Sequence, residues 1–96
     1  MATYIVLGKF TAQGVSTIQN WSERVQAAKQ VAQEAGGTLT VYLTMGQYDA
    51  VGILQAPDDE TASKIVLRIA MRGNLSSETL RAYSEDEAYR LVEGLP

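Results

Sequence analysis

The chain of 96 residues contains no cysteine and no histidine. Without cysteine there is no disulfide, no thiolate metal ligand and no thiol nucleophile. Without histidine the commonest general base, the usual imidazole ligand and any Ser-His triad are also excluded. Basic residues are few: eight Lys and Arg against eleven Asp and Glu leave a net charge of −3. They lie singly along the chain, so no phosphate-binding surface is expected and a nucleic-acid partner is excluded. The acids are scattered and form no Asp-x-Asp-x-Asp-Gly loop, so neither a metal nor another cofactor is expected. Long apolar runs are missing too. The opening Met1–Leu7 stops at Gly8-Lys9 without a basic leader or a small-residue cleavage site, and reads as a strand rather than a signal peptide. Nothing approaches the roughly 20 residues of a membrane span. The expectation is a cytoplasmic protein without a membrane partner.

What remains suits one domain, residues 1–96, since this length is enough for one core and too short for two. A hydrophobic share of 46% against 20% charged is ample for that core and leaves apolar surface over for a subunit contact. Thr3–Phe10 is rich in β-branched and aromatic residues, with Tyr4 and Val6 on one parity and Ile5 and Leu7 on the other. A strand apolar on both faces is covered on both faces. Thr11–Ile18 is polar and holds a turn or a first helical turn. Asn20 is the expected N-cap of a helix, with Glu23 reaching back and Ser22 as a competing cap. Val25, Ala28, Val31, Ala32 and Ala35 make its apolar stripe, and Gly36-Gly37 ends it. Thr38–Thr44 alternates, Gly46-Gln47 has the chemistry of a two-residue type II′ hairpin, and Tyr48–Gln55 is the returning strand. Pro57 and the acids Asp58, Asp59 and Glu60 precede a second helix carried by Ala62, Ile65, Val66, Ile69 and Ala70. Arg72 falls in its last turn and Gly73-Asn74 closes it. Ser77–Tyr83 is a fourth strand, with Leu80 and Ala82 on one face and Thr79, Arg81 and Tyr83 on the other. Ser84–Glu87 is a capping box for a short C-terminal helix.

The order predicts an α+β, ferredoxin-like βαββαβ fold: a four-stranded antiparallel sheet of order 4-1-3-2, two helices on one face, core residues 3–83, and a C-terminal helix at 84–93. Tyr4–Thr11, Gly14, Thr44–Asp49, Ala56–Asp59 and Glu78–Ala82 together resemble the GYD domain family of small bacterial proteins. That family is named for a Gly-Tyr-Asp signature, here spaced as Gly46-Gln47-Tyr48-Asp49. The resemblance spans the chain up to Tyr83 and leaves the final helix outside. It implies a dimeric α+β barrel and no particular activity, since a shared fold does not carry function with it.

Three groups of residues are candidates for chemistry. The Gly46–Asp49 turn is either scaffold or site. In the expected sheet order Asp49 sits near Lys9 and the start of the first helix, where its carboxylate can accept from the N–H groups of Gln13 to Val15 or pair with Lys9. Alternatively Asp49 is a base or ligand anchor with Tyr48 as its hydrogen-bond partner, which would need a pKa raised by burial. Arg81, within a packed strand, either forks onto a ligand carboxylate, pairs with an acid across a subunit contact, or reaches solvent. Asp49 and Arg81 lie toward opposite strand ends and are not expected to form one catalytic pair. The tyrosines, Tyr4 and Tyr42 among them, and Trp21 suit pockets and interfaces as well as ordinary strands. Asp58–Glu60 reads as a solvated helix N-terminus rather than a metal site. The candidate ligand-binding set is therefore Asp49, Tyr48, Arg81, Tyr4 and Tyr42.

Two helices cover one sheet face, so the other face, apolar in part, calls for a second copy of the chain as homodimer or higher oligomer. For function the first expectation is a binding or sensing module holding a small apolar or aromatic molecule between sheet and helices. The alternatives are a cofactor-independent isomerase or monooxygenase using Asp49, Tyr48 or Arg81, and an assembly protein whose only output is oligomerisation.

Overall fold

A computed structural model describes residues Met1 to Pro96. The elements run β1 (Ala2–Phe10), α1 (Ala12–Ser16), a 3₁₀ turn (Ile18–Asn20), α2 (Trp21–Glu34), β2 (Thr38–Leu43), β3 (Ala50–Ala56), α3 (Asp59–Ala70), β4 (Leu75–Ala82) and α4 (Glu85–Glu93). The sheet is antiparallel, in the order β2-β3-β1-β4, which is the expected 4-1-3-2 read from the other edge. Tyr4 stands opposite both Leu54 and Arg81, and Val6 opposite Gly52 and Thr79.

Burial follows from strand alternation. Tyr4, Leu54 and Ala56 join Val31 and Ala32 of α2 and Ala62 and Ile65 of α3 in one buried cluster, with Val6 and Leu39 packed beside it. The opposite parity, Ile5 and Leu7 of β1, Val51 and Ile53 of β3, and Leu80 of β4, therefore points away from the helices. No element of the chain covers that face: Leu80 is 41% exposed, and Tyr42 on the same side of β2 is 57% exposed.

The caps show where local sequence decides structure. Asp58 accepts from the Thr61 N–H at 2.8 Å and starts α3. Ser84 and Glu87 form the complete reciprocal capping box of α4. α2 ends as its glycines require: Gly36, at φ +84°, donates to Gln33 O, and Gly37 donates to Ala32 O, the paired bonds of a Schellman motif.

Several boundaries differ from expectation. Asn20 occupies the N-cap position of α2, but its side chain makes no capping bond, because the 3₁₀ turn delivers the backbone already wound into the helix. The β2–β3 connection is longer than a two-residue hairpin. Thr44 N–H donates to Asp49 O at 2.9 Å and closes a four-residue loop, with Gly46 at φ +113° inside it. Tyr48 and Asp49 consequently precede β3 rather than begin it. Arg72 lies beyond α3, whose last turn carries Arg68 instead. β4 starts two residues earlier than expected, at Leu75, which pairs with Phe10.

α4 has no buried residue. The Cα radius of gyration is 14.5 Å, with extents of 51 × 31 × 17 Å, against about 13 Å for a compact chain near 100 residues. The excess fits a C-terminal helix that stands away from the sheet. No helix is long and apolar enough to cross a membrane.

Candidate functional site

The five residues singled out by sequence fall in three separate places. Asp49 and Tyr48 lie at one end of β1. Asp49 Oδ2 accepts from Phe10 N–H at 2.9 Å, and its own N–H donates to Gly8 O at 2.8 Å. The topological placement is as expected, but the partner is the strand end, not Gln13 to Val15. Thr11 Oγ1 already takes the Gly14 N–H at 3.1 Å. Lys9 does not pair with Asp49 either; its ammonium sits 5.6 Å from the Tyr48 ring centre.

Tyr4 and Arg81 meet at the other end of β1. Arg81 is solvent-exposed, and its guanidinium carbon lies 5.6 Å from the Tyr4 ring centre and 4.5 Å from that of Tyr83. Its Nη1 donates to Thr3 O at 3.3 Å and to Ala82 O. Tyr4 donates its hydroxyl to Asp59 Oδ1. That hydrogen bond, then burial and the Asp59 charge, push the Tyr4 phenol up to about 12 against the opposing pull of Arg81. Tyr42 is on the open sheet face, apart from both groups. The acids provide no cluster able to hold a metal ion.

The open space left between sheet and helices is lined by none of these five. A cavity of about 100 Å³ lies there, walled by Val6, Leu39 and Val41 of the sheet and by Val25, Ala28 and Ile65 of the helices. Phe10, Trp21 and Arg24 line it as well. Phe10 and Trp21 pack edge to face with centroids 5.5 Å apart. The Arg24 guanidinium carbon lies 5.7 Å from the Phe10 ring centre and 5.8 Å from that of Trp21. Its Nε and Nη2 are fully buried, and neither reaches an acceptor on the protein. An unmet buried donor costs roughly 1–3 kcal/mol, more when charged. A cation over an aromatic face returns about 0.5–2 kcal/mol, so the rings offset only part of that.

Arg24 also separates the cavity from a shallow polar depression that includes Gln13, Glu23, Arg72 and Asn74. Arg72 and Asn74 line both spaces. This rim is braced: Gln13 Nε2 donates to Arg72 O at 2.9 Å and to Asn74 Oδ1 at 3.1 Å, Thr11 Oγ1 to Gly73 O at 2.6 Å, and Thr11 N–H to Asn74 O at 3.1 Å. The bracing needs Gly14, where any Cβ would collide with the Asn74 backbone oxygen.

The apolar stripe of Val25, Ala28, Val31, Ala32 and Ala35 read from the sequence leaves Arg24 outside. A signal was present. Arg24 follows Trp21 by three residues and precedes Ala28 by four, so it falls on the apolar stripe itself.

Comparison with known proteins agrees with the fold and extends it. A Thermus thermophilus protein (strain ATCC 27634 / DSM 579) named glutamine synthetase and cystathionine beta-lyase binding protein is 33% identical over 84 residues, covering 85% of this chain and 88% of the relative. The crystal structure of TTHA0845, also from Thermus thermophilus, superposes with a TM-score of 0.56 at 26% identity, over 88% of this chain and 95% of that one. The de novo designed protein Ferredog-Diesel shares the fold alone, with a TM-score of 0.53 at 7% identity over 84% and 85% of the two chains. The family model of the GYD domain matches residues 4–92. It therefore takes in most of α4, which the sequence resemblance leaves outside. The chain belongs to the GYD domain family.

Proposed function

We propose that this protein is a homo-oligomeric, cytoplasmic binding protein that acts by docking on metabolic enzymes rather than by catalysis. The observation that carries this is the open sheet face. Ile5, Leu7, Val51, Ile53 and Leu80 form an apolar stripe that no helix of the chain covers, on a sheet whose other face is packed by α2 and α3. A second copy laid on that face would bury it. The relative named for binding glutamine synthetase and cystathionine beta-lyase supports enzymes of that kind as further partners. The catalytic alternative gains no support from the geometry, because Asp49 and Arg81 are at opposite ends of β1 and each is already engaged by backbone groups.

Sedimentation at micromolar concentration should give a dimer or larger species, and Leu7→Lys with Val51→Lys should give a folded monomer. A wild-type monomer would sink the self-association. Co-migration with purified glutamine synthetase from the same source tests the enzyme partner, and its absence would confine the reading to self-assembly.

A second reading has its own observation. The cavity between sheet and helices supports a small apolar ligand held within each subunit, the sensing role the sequence suggested. Chemical-shift changes of cavity-lining residues on adding toluene would test it.

A further inference from the structure

Arg24 is a charged group for which the fold supplies rings but no acid. Salt bridges in the molecule join Lys64 to Glu60 and Arg68 to Glu34; none involves Arg24. Its two orphaned donors are Nε and Nη2. These are the parallel pair on one edge of the guanidinium, spaced to meet both oxygens of a single carboxylate. Phe10 and Trp21 lie together on one side of the guanidinium, and Gly14 lies beside the third nitrogen, Nη1. The orphaned edge is sealed from solvent, so the rim shifts to admit a carboxylate. Beyond Arg24 lies the apolar cavity, and beside it the rim with Arg72, Asn74 and the opposing carboxylate of Glu23.

We propose that Arg24 binds the carboxylate of a small organic acid whose compact apolar body enters the cavity between the sheet and α2. The proposal rests on the small-molecule reading above and names its ligand class. Size limits the body: an apolar cavity of about 150 Å³ accepts benzene, and this one is about 100 Å³. The cavity is half-open, so a short branched chain enters it whole and a single ring enters in part. Charge sets the head group, since a neutral amide of the same shape offers one acceptor oxygen where a carboxylate offers two, and turns an N–H donor toward the other N–H of the edge. Bulky acids are excluded by the volume, and the apolar walls disfavour a second carboxylate inside the cavity.

The experiment uses benzoate, benzamide and toluene as probes on the full chain. Benzoate should bind, raise the unfolding temperature with concentration, and shift the Arg24 Nε–H resonance in NMR spectra. Benzamide should bind at least about tenfold more weakly, as charge-assisted forks outweigh neutral hydrogen bonds. Arg24→Met, which keeps the apolar stem, should lose benzoate by a similar factor while still admitting toluene. Equal binding of benzoate and benzamide, or an Arg24 resonance unmoved by bound benzoate, would overturn the carboxylate assignment and leave the cavity reading standing. Failure of all three probes to bind would overturn both. Should Arg24→Met not fold, the resonance in the wild-type chain decides.

Discussion

At the scale of single residues, Asp49 is a junction. Its carboxylate holds the Phe10 N–H, its N–H holds Gly8 O, and its carbonyl accepts from Thr44. Removing the carboxylate strands a part-buried backbone donor, a loss of about 1–3 kcal/mol. Asp49→Ala should therefore lower the urea midpoint while leaving benzoate affinity unchanged; a selective loss of affinity would return Asp49 to the binding machinery. Tyr4 makes a separate, pH-dependent statement. Its phenol is held neutral by Asp59, with a pKa of about 12 against an ordinary 10.0. The folded state thus binds a proton that the unfolded state has begun to release. The stabilisation is complete below pH 10.0 and is lost as pH rises through about 12. Near-ultraviolet titration should show a phenol ionising near pH 12 that disappears in Tyr4→Phe.

At the scale of elements, α4 stands out because its order comes from its ends. Helices this short are marginal alone in water, and α4 buries no side chain. The Ser84–Glu87 box is then the main thing holding it. Ser84→Ala should abolish hydrogen-exchange protection in residues 85–93 with little change in the global unfolding midpoint. A large fall in that midpoint would mean that α4 is buried in the assembled protein. The cap also gives α4 an acid sensitivity. The Ser84 N–H holds the Glu87 carboxyl below the usual range, so its contribution is present above the ordinary carboxylate pKa and fades as pH falls through the depressed value. The Thr61 N–H does the same to Asp58 at the start of α3.

The same elements explain what could be read from sequence. Caps that act within four residues, such as Ser84 to Glu87 and Gly36 after α2, were legible because their partners are local. The element order and sheet topology were legible from period and turn chemistry. Asn20 was misread because a 3₁₀ turn precedes it and removes the need for a side-chain cap. The β2–β3 loop was misread because Asp49 is recruited by β1, a contact 39 residues away in sequence. Arg24 escaped for a related reason. Its meaning depends on Phe10 and on the rim at Arg72 to Asn74, which only the folded chain brings together.

At the scale of the whole molecule the core is small. Twelve of 96 residues are buried, on a chain whose backbone ordering opposes folding by about 1–2 kcal/mol per residue. Burying the stripe of Ile5, Leu7, Val51, Ile53 and Leu80 against a second copy would enlarge that core at about 25 cal/mol per Å² of apolar surface. Folding and assembly are then linked, and the thermal midpoint should rise with protein concentration. In the Leu7→Lys and Val51→Lys double variant the midpoint should become independent of concentration, measurable by calorimetry across a wide dilution series.

The aromatic wall of the cavity has an optical consequence. Trp21 is the sole tryptophan of the chain, and it packs against both the Phe10 ring and the Arg24 guanidinium at the cavity margin. The tryptophan fluorescence of this protein therefore reports on one place. Any molecule that enters the cavity, or any charge drawn to Arg24, changes the surroundings of the only indole, so the unlabelled protein can screen its own ligands.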